Sequence, residues 1–283
     1  MEIEALRKML ATDTNVSVRT TENLTEATIT SVGDLVRIVE REHAGAFQYR
    51  GQRCENHQLL PTLTRPGSPV ANGLAGHESL RDKERHILKE FRTRLVAYGR
   101  EAPPDELRLA ILAQHHGAPT RLLDWTLNPL AALFFAVEDA DVWQDKQCEC
   151  KTDGCAPVVW AVRGHRHRVS DCPFQTFDEL EERPYFVLPD HDESRAAVQS
   201  SILSLWGNPC KPFIELQCLE DPWRIRVERQ ASRHLLWVLH CVGITRETLF
   251  PDLDGLGRYL MWKHRHIHET DYREAGRPRP RGG

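Results

Sequence analysis

Residues 113–136, AQHHGAPTRLLDWTLNPLAALFFA, constrain the fold more than any other stretch. The second half, with the residue that follows it, places Leu130, Leu133, Phe134 and Val137 at helical spacing, with Ala131, Ala132 and Ala136 between them permitting close approach. Asn128 is suited to cap that helix and Pro129 to occupy its first position. So apolar a helix belongs inside a core, and the segment before it is held at that core's edge. The preceding polar half packs His115, His116, Arg121, Asp124, Trp125 and Thr126 into a dozen positions. It is the first place to look for a site.

Elsewhere the pattern alternates between helix and strand periods. TSVGDLVRIVERE has Ser31 as an N-cap, with Val32, Leu35, Ile38 and Val39 on one face. AFQYRGQ reads as a buried strand with a sharp exit at Gly51. LLPTLTRPGSP is a loop, HESLRDKERHILKEFRTRLVAYG an amphipathic helix, and PPDELRLAILAQHHG a second helix stopped by Gly117. TRLLDWT, PVVWAV, YFVLP, PFIELQCL, WRIRV and HLLWVLHCV supply strands. RAAVQSSILSLWG reads as a helix, and LFPDLDGLGRYLMWKHRH closes with another. The expected class is α/β or α+β, a single mixed-sheet domain with flanking helices. It spans 29–264, after a lead-in at 1–28, with a cysteine-containing insertion at 141–156 and a basic tail at 265–283.

A net charge of −4 gives no global drive toward nucleic acid or anionic membrane. MEIEALRKMLATDTN lacks the apolar core of a signal peptide, and no run reaches the length needed to cross a bilayer. A cytoplasmic, reducing setting is therefore expected, with no membrane partner. The eight cysteines are then thiols or metal ligands. Cys148, Cys150 and Cys155, with Cys172 downstream, match a structural zinc site in ligand type and number, and His165 and His167 lie nearby. Such a zinc would be a local staple; the alternative is a solvated loop of free thiols.

YRGQ at 49–52, LLPTLTR at 59–65, LAQHHGAPTRLLDWTLNPLAALFFA at 112–136, VVWAV at 158–162 and LFPDLDGL at 249–256 together resemble the FRG domain family. Its Phe-Arg-Gly motif is written here as Tyr49-Arg50-Gly51. The resemblance runs from about Ile29 to about His264. Where the family carries Arg, Gln, Gly and Phe near its last strands, this chain has Arg226, Gln230, Ser232 and His234. The resemblance implies a cytosolic effector of bacterial or phage origin, often of the defence or toxin kind. It implies no particular reaction, so activity has to be read from the residues.

At a more remote level, an Arg-Gly closing a first core strand, with DWTLNPLAALFFA after it, resembles ADP-ribosyltransferases. That resemblance implies NAD as the substrate. Arg50 would clamp a phosphate beside Gly51 and Gln52, and the turn Asp124–Trp125–Thr126 would shape the nicotinamide side. Glu228, with Gln230 close by, would oppose the cation left when the nicotinamide bond breaks. A protein or nucleic acid would accept the ADP-ribose. Against this stands a structural reading, in which Arg50 pairs with Asp124 or Glu228 inside the core.

A rival chemistry uses the histidine block. His115 or His116, oriented by Asp124, would act as general base while Arg121 stabilises an anion, as in a nuclease. Adjacent helical residues point apart, so His116, leading into the turn, is the better placed of the two. HRHR at 165–168 and the Arg-Pro tail keep RNA or DNA binding open, and a non-catalytic interaction domain is the third class.

Overall fold

The computed structural model describes residues 16, 18–21, 24–42, 47–68, 70, 77–139, 155–189, 201–216 and 219–266. Nine strands form one mixed sheet among these residues. They are β1 (Val18–Thr20), β2 (Thr25–Ile29), β3 (Phe47–Gln52), β4 (Leu123–Thr126), β5 (Val158–Arg163), β6 (Arg166–Arg168), β7 (Tyr185–Leu188), β8 (Ser201–Leu205) and β9 (Glu220–Val227). Their order is β1-β2-β9-β5-β3-β4-β8-β7-β6. The β2–β9 and β6–β7 pairs are parallel and the others antiparallel. Helices α1 (Val32–Glu42), α2 (His77–Leu95), α3 (Glu106–His115), α4 (Pro129–Val137), α5 (Ser232–Cys241), α6 (Arg246–Leu249) and α7 (Leu253–His266) flank it. The expected single mixed sheet with flanking helices is what the chain forms.

Alternation along the central strands sorts residues to two sides. On β5, Val159 and Ala161 join a core with Tyr49, Leu35 and Ile38, the α4 residues, and Leu235, Leu236 and Leu239 of α5. Val158, Trp160 and Val162 face a second core with Trp125, Phe186, Trp206 and Phe213. A third cluster joins α2 and α3 to β7 and β8 through Leu88, Leu107, Ala110, Val187 and Leu203.

Helix α4 is the apolar half of the opening stretch, and it is scaffold. The Asn128 side chain accepts from the Leu130 and Ala131 backbone N–H groups at 2.9 and 3.3 Å, satisfying donors that would otherwise be orphaned. Ala131, Ala132, Leu133, Phe134, Ala136 and Val137 are all buried. Burying Leu133, Phe134 and Val137 stabilises the fold by about 1.5–3 kcal/mol each. The strand beneath can come close only because it carries a glycine. A Cβ on Gly51 would lie 1.9 Å from the Ala132 carbonyl oxygen and 2.6 Å from the Ala136 nitrogen.

Three elements differ from the sequence expectation. Residues 201–205, expected within a helix, are strand β8, held between β4 and β7 with Ile202, Leu203, Ser204 and Leu205 buried. A central strand covered on both faces loses the polar alternation that would have marked it. HLLWVLHCV, expected as a strand, lies in α5, because Leu235, Leu236 and Leu239 recur at helical spacing and bury one face. PFIELQCL supplies a short 3-10 turn at Phe213–Glu215, which buries Phe213. The lead-in also contributes β2, whose register pairs Ile29 with Val227.

Candidate functional site

The two middle strands meet at a single registered pair, Tyr49 with Thr126, whereas β3 pairs with β5 over six positions and β4 with β8 over four. A cavity of about 1120 Å³ opens at this junction. It lies just above the range for ligand cavities, roughly 300–1,000 Å³. Arg50, Arg53, Arg65, Asp124, Phe135, Glu138, Asp139 and Phe250 are among its lining residues.

Arg50 is part-buried, and its Nη1 donates to the Asp124 carbonyl oxygen at 2.5 Å. Its Nε is buried with no hydrogen-bond partner among the described residues. Burial draws its pKa down to about 10, with Asp124 resisting and Arg65 adding to the fall. The group remains a cation at neutral pH. Arg65 donates to the Leu60 carbonyl at 3.1 Å, and its pKa too is lowered by burial, against the pull of Asp124 and helped by Arg53. Among the described residues neither Arg50 nor Arg65 is in an ion pair. Two crowded guanidinium groups thus share one nearby carboxylate, which leaves that end of the cavity short of negative charge.

Asp124 is held from outside the cavity. Gln114 Nε2 donates to its Oδ1 at 2.7 Å, and the Thr120 hydroxyl donates in turn to Gln114 Oε1. Elsewhere along the lining Arg53 approaches Asp139 at 3.8 Å, and Glu138 pairs with Arg246. Burial pushes the Glu138 carboxyl up, with Arg246 pulling against it. Arg246 also lies 4.2 Å over the Phe250 ring, so the pair is braced by an aromatic face.

The structure brings together Arg50, Gly51, Gln52, Asp124, Trp125 and Thr126 around this cavity. Gly51 serves the approach to α4, and Gln52 accepts from Trp160 Nε1 at 2.8 Å. Trp125 is an anchor of the core: its indole N–H donates to Ser204 at 2.8 Å, and the residue is 3% exposed. The Thr126 hydroxyl accepts from the Asn128 N–H, fixing the turn into α4.

The other candidates stand elsewhere. Glu228 and Gln230 are exposed beyond the end of β9 and do not line the cavity. His116 caps α3 with Gly117 at φ 84° behind it, and both histidines are exposed outside the cavity. Arg121 is wholly buried against Glu84, whose Oε1 accepts the Arg121 backbone N–H at 2.8 Å and whose Oε2 accepts Nε at 2.6 Å. It pairs there and not with Asp124. Arg226 pairs with Glu55 at 2.8 Å.

Cys148 and Cys150 lie outside the described residues. Cys155 is buried, and burial pushes the Cys172 thiol up to about 11. Among the described residues no group of three or more His, Cys, Asp or Glu could hold a metal ion, and no helix is long and apolar enough to cross a membrane.

Sequence reasoning passed over Arg53, Arg65, Glu138 and Gln114. A signal for Arg65 and Gln114 was present, since both fall inside the stretches that carry the family resemblance. No curated protein and no solved structure matches the chain. A family model does match residues 45–145, the span that contributes β3, β4 and α4 together with Arg50, Arg65, Asp124 and Glu138, and over that span the chain carries an FRG domain.

Proposed function

We propose that the cavity between β3 and β4 binds the phosphates of a nucleotide, NAD foremost, and that the protein cleaves it or transfers its ADP-ribose. The observation that carries this reading is the meeting of Arg50 and Arg65 in one cavity, neither with an ion-pair partner among the described residues. Planar guanidinium forks match phosphate oxygens, and Arg50 offers a buried N–H that lacks an acceptor.

In such a reaction the bond from the ribose C1′ to the nicotinamide nitrogen breaks, and nicotinamide leaves with the electron pair. The sugar becomes an oxocarbenium ion, which water or an acceptor nucleophile then attacks, losing its proton. A nearby carboxylate favours that cation. Asp124, fixed by Gln114, and Glu138 and Asp139 at the end of α4 are the carboxylates that line this cavity, in place of Glu228. The cavity is favoured over the histidine block as the reaction centre because neither histidine lines it. The protein would then act as an NAD-consuming or ADP-ribosylating effector on a macromolecular acceptor.

Mass spectrometry of NAD incubated with the wild type and with Arg65→Gln, in the presence and absence of cell extract, tests this. Nicotinamide release by the wild type alone is expected. Intact NAD in every reaction, from folded protein, would refute it.

A further inference from the structure

A second cavity, about 240 Å³, lies beneath α5, α6 and α7, and Glu138 and Asp139 line it as well as the large one. Its volume falls just under the range for drug-sized ligands, roughly 300–1,000 Å³, and suits a single ring system. Glu138, on the shared wall, pairs with Arg246 on the lining of the smaller cavity.

The interior of this cavity differs from that of its neighbour. Phe134, Leu236, His240, Tyr259 and Trp262 supply it. His240 stacks on Tyr259 with centroids 5.8 Å apart and planes at 27°, and lies 5.3 Å from Trp262. The His240 Nδ1 is buried with no hydrogen-bond partner among the described residues. Burial, with the charge of Lys263 adding to it, lowers the imidazole's proton affinity, so the ring is neutral at pH 7 and offers one donor and one acceptor. Stacked aromatic faces, a buried polar atom left unused and an adjoining set of arginines are the parts from which a base-recognition pocket is made.

We propose that this cavity is a subsite for a planar heteroaromatic ring of the same ligand whose phosphates rest on Arg50 and Arg65. The ring lies among Tyr259, Trp262 and Phe134, and its polar edge meets His240 Nδ1. Glu138 and Asp139 then sit between ring and phosphates, beside the ribose. The assignment of one ligand to both cavities rests on the phosphate-binding reading above; the ring pocket itself does not.

The test uses the full chain, with NAD, inorganic pyrophosphate, adenosine and nicotinamide as probes. Calorimetry is expected to show NAD binding at least about tenfold tighter than pyrophosphate, as ring stacking contributes on this scale. Either adenosine or nicotinamide alone is expected to quench tryptophan fluorescence. Tyr259→Leu should bring NAD down to within about threefold of pyrophosphate while leaving pyrophosphate binding unchanged. Met261→Trp, at an exposed lining position that leaves the core untouched, should do the same by filling the mouth.

A wild type with no preference for NAD over pyrophosphate would overturn the proposal, as would a preference that survives both substitutions. Adenosine or nicotinamide quenching without any pyrophosphate binding would instead remove the phosphate reading and leave the ring pocket standing.

Discussion

Gly51→Ala is the change whose cost follows most directly from the geometry. The new methyl carbon would sit 1.9 Å from the Ala132 carbonyl oxygen, 2.6 Å from the Ala136 nitrogen and 2.9 Å from the Phe135 Cβ, where real Cβ atoms essentially never come under 3.0 Å. The two nearest obstacles are backbone atoms of α4, so no rotamer change relieves them. The helix has to shift outward by about an ångström or more, loosening the contacts of Ala132, Leu133 and Ala136 with the sheet. Overpacking in cores costs about 1–3 kcal/mol where neighbours can adjust. Here they are backbone, and at least about 3 kcal/mol is expected.

For a domain of this size each kcal/mol moves the melting temperature by about 2–4 °C, so Tm should fall by about 6–12 °C or more. Thermal unfolding followed by circular dichroism reads this directly. Gly257→Ala, on an open face of α7 with nothing within 4 Å of the new atom, is the control. It should be neutral or stabilising by up to about 1 kcal/mol. Gly51→Ala melting within about 2 °C of the wild type would show that strand β3 and helix α4 are not in the contact described.

Two further outcomes follow from buried charge. Glu84→Ala leaves the Arg121 guanidinium buried without its counterion and should cost about 3–5 kcal/mol in urea unfolding, whereas Glu84→Leu with Arg121→Met should recover most of that loss. Asp34 is the case for pH. Burial favours its protonated form, but donors outweigh this, the Thr30 and Ser31 backbone N–H groups at 3.0 and 2.9 Å among them, and hold its pKa below 3.8. A carboxyl with a depressed folded pKa contributes stability above its unfolded pKa and loses it as pH falls through the folded value. Asp34→Asn should therefore cost about 1 kcal/mol from pH 5 to 7, with the gap to the wild type closing below about pH 3.8.

The legible parts of this fold were those where one interaction dominates. Asn128-Pro129 followed by an apolar face fixed α4, and Tyr49-Arg50-Gly51 marked β3, because capping chemistry and period leave few alternatives. Strand β8 was not legible, because Ile202 to Leu205 are buried on both faces and present no alternation. Within the site, Arg50, Asp124 and Thr126 were found from the motif, and they do converge. Arg65 was hidden in a loop, whose position only the folded chain reveals. Glu138 was hidden at the end of a helix that reads entirely as core. Arg121 misled for a related reason: an arginine in a polar stretch looks available, and only its distant partner Glu84, 37 residues earlier, shows it to be internal. Residue type announces chemistry, but the partner across the fold decides whether that chemistry is free.

On the function proposed above, Arg50 and Arg65 bind the phosphates of a nucleotide. Calorimetric titration of NAD into the wild type, Arg50→Met and Arg65→Met, with melting temperatures checked for all three, tests it most directly. A hydrogen bond to a charged group contributes about 1.5–3 kcal/mol, so each substitution should weaken binding by about 10- to 100-fold. Affinity in the wild type should also fall as salt is added. Equal affinity in all three folded proteins, or no binding by the wild type, would contradict the account.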